Sequence, residues 1–172
     1  MRLAFLFFWT AAVGSGATMI QDDKAWKAYA PKEAAFEVRF PEEPTVRAGA
    51  AGFQVANVRS NGIAYTCQWL IREKPYDSKE AEYVYLLGNQ VGAVTASRGK
   101  LVDAKQISKD NFQGRQFTIA LNDKDLLRTQ VYVAGKRIIV IQVRGTDKEA
   151  IAAAEPTQFF ESLKIGKAEA SK

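Results

Sequence analysis

The side chains that most often carry catalysis are scarce in this chain. Histidine is absent, and cysteine occurs once, at Cys67. Without histidine, the chain lacks the commonest general base and the commonest metal ligand of proteins. A single thiol cannot form an intramolecular disulfide, a redox pair or a thiolate zinc cluster. Cys67 lies in the apolar run 64–71, and no histidine can activate it, so we predict a buried, unreactive thiol.

Two acidic stretches could be mistaken for cation sites. The segment 122–125 lacks the glycine and the terminal glutamate of a calcium-binding loop. Glu42 and Glu43 stand between Pro41 and Pro44, where the prolines restrict the backbone to a turn. We interpret both stretches as solvated turns. The sequence therefore predicts a protein that is not an enzyme and that has no cofactor and no metal site.

Three arginines are the candidate binding residues. Arg128 and Arg137 are predicted on one face of a hairpin, and Arg115 precedes the apolar run of the neighbouring strand. Guanidinium groups bind carboxylates and phosphates through paired hydrogen bonds. Arg115, Arg128 and Arg137 are therefore candidates for binding an anionic partner. The alternative is that their long side chains pack against the end of the sheet and solvate it.

The elements that position these residues are dominated by one predicted hairpin, 126–144. Two β-branched runs flank Ala134, Gly135 and Lys136, which predicts a tight turn at either the first or the second pair. The second strand is apolar on both faces, as in a strand covered on both sides. A second hairpin is predicted across Asn61 and Gly62.

A long helix is predicted from Asp77 to Ser97. Asp77 and Glu80 have the spacing of an N-cap and its N3 partner. Apolar residues then follow at helical spacing and predict one stripe that packs on the sheet: Val84, Leu87, Gly88, Val91 and Val94. Together with the strands, this favours an α+β fold. We expect a single-domain α/β/α sandwich whose mostly antiparallel sheet has about six or seven strands and helices on both faces.

Residues 1–17 have the pattern of a secretory signal peptide. Arg2 supplies the positive charge, 3–13 is apolar apart from one threonine, and small residues precede a cleavage site between Ala17 and Thr18. The apolar run is shorter than the roughly 20 residues that span a bilayer, so no stable membrane span is expected after processing. We predict an exported protein, periplasmic or secreted. Retention of this segment as an anchor is the alternative.

The remainder of the chain predicts one domain at 26–166, preceded by a flexible lead at 18–25 and followed by a disordered tail at 167–172. The 24 Lys and Arg residues against 19 Asp and Glu give a net charge of +5 over 172 residues. The basic residues form no block of like charge, so neither nucleic acid nor a membrane surface is predicted as a partner.

Several short motifs resemble a known group of proteins. Trp26 to Pro31 reads Trp-x-x-Tyr-x-Pro, and Phe36 to Pro44 reads Phe-x-Val-x-Phe-Pro-x-x-Pro. Tyr132 to Arg137 reads Tyr-Val-x-Gly-x-Arg, and Phe159 to Lys164 reads Phe-x-x-Ser-Leu-Lys with a second phenylalanine after the first. Their order resembles that of small exported bacterial proteins with the α/β/α sandwich of PsbP. The resemblance implies an exported protein that binds or assembles with others and is not an enzyme.

Three functional hypotheses follow. The first is a non-catalytic binding or assembly domain that contacts another exported or envelope protein through a sheet edge or a loop surface. The second is a carrier for a small or apolar ligand held between the long helix and the sheet. The third is a hydrolase that uses paired carboxylates, which is disfavoured because no such pair stands at the predicted strand ends.

Overall fold

The computed structural model describes residues 26–146 and 148–166, so the predicted signal peptide, lead and tail lie outside the described residues. Cleavage between Ala17 and Thr18 therefore stays a prediction.

The described part of the chain contains ten strands and three α-helices. The strands are β1 (Lys27–Tyr29), β2 (Phe36–Phe40), β3 (Thr45–Ala48), β4 (Gln54–Ser60), β5 (Ile63–Ile71), β6 (Lys100–Lys109), β7 (Phe112–Ala120), β8 (Leu126–Ala134), β9 (Arg137–Gly145) and β10 (Lys164–Ile165). The helices are α1 (Lys79–Ser97), α2 (Lys148–Ala152) and α3 (Ala154–Ser162).

Seven of the strands form one sheet in the order β3-β4-β5-β9-β8-β7-β6. Every neighbouring pair in it is antiparallel. The expected sheet of six or seven mostly antiparallel strands is confirmed. A second sheet, β1-β2-β10, was not predicted from the sequence. Its strands are three, five and two residues long, and the shortest two give too little alternation to read from sequence.

Both predicted hairpin turns are confirmed. The pairing of β8 with β9 leaves Gly135 and Lys136 as the two turn residues. In the other turn, between β4 and β5, Asn61 and Gly62 have φ values of +50° and +78°. These left-handed values are what a two-residue turn between twisted strands requires, and asparagine and glycine tolerate them better than other residues do.

Alternation along β8 and β9 gives the sheet two buried faces. The α1 face is defined by Val131, Val133, Ile138 and Val140, and the α3 face by Tyr132, Ile139, Ile141 and Val143. Helix α1 packs against β7 and β8, while α2 packs against β8 and β9, and α3 packs against α2 and β2. The prediction of helices on both faces of the sheet is therefore confirmed.

Aromatic rings fill the α3 face. The ring of Phe159 on α3 lies 5.3 Å from Tyr65 and 5.2 Å from Phe40, measured between centroids. Trp26 meets the far side of Tyr65 edge to face at 6.0 Å. Such pairs add to the free energy gained from burying the rings. The N-terminal strands and the C-terminal helix are thus held on one face of the sheet by a shared aromatic cluster.

Cys67 is fully buried in this cluster, as predicted, and burial raises the pKa of its thiol. We expect the folded protein to be inert to a thiol reagent such as 5,5′-dithiobis(2-nitrobenzoate), because reaction needs an accessible thiolate. Denaturant should expose one reactive thiol per chain. The absorbance of the released thionitrobenzoate measures both states, and rapid stoichiometric labelling of the folded protein would contradict the account.

Candidate binding face

In the predicted apolar stripe of α1, Val84, Gly88 and Val91 face solvent rather than the sheet, which corrects the sequence prediction, whereas Val94 packs against the core as predicted. Val84 and Val91 are 66% and 61% exposed. The buried positions of this helix are Glu82, Leu86 and Gln90. At about 100° per residue, Val84 lies about 200° around the helix from Leu86, so the two side chains cannot share a face. The start of the helix also differs, because Ser78 rather than Asp77 caps it, accepting a hydrogen bond from the Ala81 amide at 3.1 Å.

Polar residues can occupy the buried face of α1 because their polar atoms find partners there. Glu82 accepts a hydrogen bond from Lys79 Nζ at 2.8 Å, and Gln90 Oε1 accepts one from Arg115 Nε. The methylene groups of Glu82 and Gln90 can then cover apolar surface of the sheet. Hydrophobic periodicity does not detect this role, because it counts both residues as polar. Between them Leu86 is fully buried in the cluster that contains Phe117 and the α1 face. Val84 and Val91 point outward, so they cannot line a ligand site between α1 and the sheet.

The solvent side of α1 carries no charge over most of its length. From Tyr83 to Ser97 the sequence contains no acidic or basic residue. A Cβ atom added at Gly88 or Gly92 would meet nothing within 4 Å, so both positions open onto solvent. A helix on a protein surface normally presents charged and polar residues to water. We call the surface formed by Val84, Leu87, Gly88 and Val91 the valine stripe.

On the same face of the sheet as α1, but over β3, β4 and β5 rather than over the β7 and β8 strands that α1 covers, lies an open basin of about 490 Å³. Its floor carries hydroxyl and amide side chains, and arginines stand at its sides. The residues of this arginine basin that carry polar side chains are Arg47, Asn57, Arg59, Thr66, Gln68 and Gln142. No acidic residue is among those that line it. The basin therefore offers hydrogen-bond donors and positive charge without a neutralising carboxylate in its wall.

Hydrogen bonds hold the floor of the arginine basin. Gln68 Nε2 donates to Gln142 Oε1 at 2.9 Å, and Gln142 Nε2 donates to Thr129 Oγ1 at 3.2 Å. At the edge of this face Arg144 pairs with Asp125 at 2.6 Å, and this pairing lowers the pKa of the Asp125 carboxyl. Asp125 also interacts electrostatically with Arg59, although less strongly than with Arg144. Arg47 and Arg59 remain exposed at the basin itself.

The three predicted arginines do not form one cluster. Arg115 pairs with Val131 in the sheet register and lies on the α1 face, whereas Arg128 and Arg137 lie on the α3 face. Arg137 stands opposite Ala134, six residues from Arg128 along β8, a separation of about 20 Å at about 3.3 Å per residue. A single anion cannot contact all three. Whether any one of them binds a partner stays a prediction.

Arg137 has a structural role. It is 4% exposed, and its guanidinium donates to four backbone carbonyls, those of Ala34, Ala35, Ala134 and Gly166. These contacts join the main hairpin to the segment before β2 and to the end of the described chain. The alternative reading of the arginines, packing and solvation by long side chains, describes Arg137 better than anion binding does.

Sequence reasoning missed Arg47 and Arg59, although part of the signal was present. The turn at Asn61 and Gly62 fixes the register of β4 with β5, and this register places Asn57 opposite Thr66 and Arg59 opposite Ala64. That alternation predicts a polar face on β4 and β5. The sequence does not predict the position of β3, and hence of Arg47, because β3 is only four residues long and entirely exposed.

Two searches of the described residues for other kinds of site were negative. No group of three or more His, Cys, Asp or Glu side chains in 26–146 and 148–166 is arranged to hold a metal ion. Among the helices described, none combines the length and hydrophobicity needed to cross a bilayer.

Comparison with known proteins found structural similarity only. No family model matches the chain, and no curated protein matches it in sequence. The solution structure of cyanobacterial PsbP (CyanoP) from Synechocystis is similar with a TM-score of 0.61 and 10% identity, over 92% of this chain and 98% of that one. A Pseudomonas aeruginosa protein of unknown function has a TM-score of 0.43 at 10% identity, over 77% of this chain and 90% of that one. The Saccharomyces cerevisiae Ran-binding protein Mog1p has a TM-score of 0.42 at 10% identity, over 83% of this chain and 96% of that one.

The similarity to CyanoP extends over nearly the whole of both chains. At 10% identity it establishes the fold and nothing about activity. The resemblance inferred from the sequence motifs is confirmed at this level: the protein has a PsbP-like fold.

Proposed function

We propose that the protein is an exported, non-catalytic binding domain that contacts another exported or envelope protein through its α1 side. The observation that carries the proposal is the exposed valine stripe, at the centre of a helix that has no charged residue from Tyr83 to Ser97. Export is the expectation from the signal pattern in residues 1–17.

The valine stripe has the properties of a contact surface. Exposed apolar side chains that are grouped, rather than scattered singly, mark sites of interaction. The valines are held on a rigid helix, so little conformational entropy is lost when a partner covers them. Gly88, within the stripe, and Gly92, directly after Val91, leave room for a partner surface to approach the helix backbone closely.

The arginine basin on the same face indicates the charge of the partner. Arg47 and Arg59 flank amide groups, and no lining residue is acidic. An acidic partner that covers this face would meet the guanidinium groups as well as the apolar stripe, which is the arrangement of an interface with an apolar centre and a charged rim. A second copy of this chain is a poorer match, since the whole chain carries a net charge of +5.

The absence of catalysis is part of the proposal. It is supported by the lack of histidine in the sequence and by the burial of Cys67, whose raised pKa opposes thiolate formation. The carrier hypothesis in its original form, with a ligand held under α1, has no support because Leu86 packs there.

Placing lysine at both Val84 and Val91 tests the contact surface. Both side chains are exposed, so we expect the double variant to keep the melting temperature of the wild type. Burying two ammonium groups at an apolar contact should weaken partner binding at least about tenfold. Quantitative mass spectrometry of proteins cross-linked to the tagged protein in the exported fraction measures the loss.

Val46→Lys is the matched control. Val46 is 46% exposed and, as the partner of Ala56 in the α3-face core, belongs to the opposite face of the sheet. The Val46→Lys variant should therefore capture the same set of cross-linked proteins as the wild type. Equal capture by the wild type and by the Val84 and Val91 double variant would contradict the proposal. If light scattering shows a wild-type dimer that the double variant loses, the stripe is instead a contact between copies of the chain.

A further inference from the structure

A second concave site lies on the α3 face, remote from the valine stripe. It is a cavity of about 240 Å³ between the β6–β7–β8 part of the sheet and α2. Val102, Leu126, Ile151 and Ala152 supply its apolar walls, and Gln116, Thr118 and Arg128 its polar side. Asp103 and Lys148 also line it, with opposite charges.

Two side chains of this cavity are buried and have unused hydrogen-bonding atoms. Gln116 is 8% exposed and Thr118 is 6% exposed. Gln116 Oε1 accepts from Gln130 Nε2 at 2.9 Å and from Arg128 Nη2 at 3.2 Å. Arginine can only donate, so the orientation of the amide is fixed, and its Nε2 is left as a donor. Among the described residues neither this nitrogen nor the Thr118 hydroxyl has a hydrogen-bond partner, and neither atom is fully enclosed, so both are open to the cavity.

Arg128 adds a positive charge beside these donors. Its guanidinium stacks over the Phe160 ring at 4.8 Å, which holds the group in place. Gln130 is itself fixed by the hydroxyl of Tyr132, which donates to it at 2.9 Å. Three donors of different kinds, an amide, a hydroxyl and a guanidinium, therefore line one side of the cavity, together with the carboxylate of Asp103, which stands opposite Thr118 in the sheet register and is offset in charge by Lys148.

We infer that this cavity binds a short aliphatic carboxylate. The carboxylate accepts from Arg128 and from the two donors that have no protein partner, the Gln116 amide nitrogen and the Thr118 hydroxyl. The hydrocarbon part lies between Leu126, Ile151 and Val102. At about 30 Å³ per water-sized group, the cavity holds about eight such groups, the size of a six-carbon acid.

This inference does not depend on the proposed protein contact. It differs from the earlier carrier hypothesis in position, since the ligand lies against α2 on the α3 face rather than beneath α1. Failure of one proposal therefore leaves the other intact.

Titration of the isotopically labelled protein with sodium hexanoate tests the site. We expect saturable shifts of the Gln116 side-chain amide and of backbone amides at Thr118 and Ile151. Hexan-1-ol has the same chain without the carboxylate and should bind at least about tenfold more weakly. Equal binding of the two compounds, or shifts that do not saturate, would overturn the inference.

Three variants assign the effect to the cavity. Thr118→Val removes the hydroxyl at nearly constant shape and should weaken hexanoate binding about tenfold. Ala152→Leu, at an exposed position of the cavity wall, should block the apolar part without affecting folding. Arg39→Gln, on the exposed side of β2, is the control and should bind as the wild type does. Unchanged hexanoate binding by both Thr118→Val and Ala152→Leu would exclude this cavity as the site.

Discussion

Val140→Asp is expected to abolish folding. Val140 lies on β9 near the middle of the seven-stranded sheet and is 6% exposed among the side chains beneath α1. An unpaired carboxylate there would cost several kcal/mol, against a total stability of about 5–15 kcal/mol for a domain of ordinary stability. The variant should show no cooperative thermal transition by circular dichroism and should be recovered mainly as aggregate.

Val84→Asp is the matched comparison for this prediction. It makes the same chemical change on the helix that packs on this face of the sheet, but at a side chain that is 66% exposed. Its melting temperature should stay within a few degrees of the wild type, because surface substitutions usually change stability by about 0.5 kcal/mol or less. A cooperative, soluble Val140→Asp variant would show that the strand is not central to the fold.

Arg137→Met is expected to lower stability by about 3–5 kcal/mol, because it leaves several carbonyls without their charged donor, at about 1–3 kcal/mol for each one that stays unsatisfied. The substitution keeps much of the side-chain volume and removes the donors to four carbonyls. Desolvation lowers the pKa of the Arg137 guanidinium, consistent with its enclosure. At about 2–4 °C per kcal/mol for a chain of this size, the melting temperature should fall by about 6–20 °C.

Arg39→Met controls for loss of an arginine in general. The Arg39 side chain is 51% exposed, and its nearest carboxylate, on Glu37, is 3.8 Å away. Exposed pairs of this kind contribute little, so this variant should melt within a few degrees of the wild type. If the Arg137→Met and Arg39→Met variants had the same melting temperature, the hydrogen bonds from Arg137 to the backbone carbonyls would not be stabilising the fold.

The sequence predicted the sheet well because its signals are local. Glycine at 62 and at 135 fixes two turns, and the apolar run in β9 requires cover on both faces. The small second sheet escaped prediction because β10 consists of two residues and joins β2 across more than 120 positions of sequence. Pairing between strands that are so far apart in the sequence depends on how the aromatic core packs, and no local sequence pattern predicts that packing.

The binding face could be predicted only in part. The valine stripe was found from its spacing, but its direction was wrong because Glu82 and Gln90 bury their stems and satisfy their polar ends. The arginines could not be told apart from the sequence for a related reason. In the sequence, Arg137 and Arg59 are both simply arginines. Only the structure shows that Arg137 is buried and donates to four backbone carbonyls, whereas Arg59 is exposed.

The central claim is that the α1 side contacts another protein. Site-specific photo-cross-linking in the native envelope tests it most directly, with benzoylphenylalanine placed at Val84 in one strain and at Val46 in another. The account predicts a discrete higher-mass adduct on irradiation for position 84 and none for position 46. An adduct at position 46 with none at position 84 would contradict it.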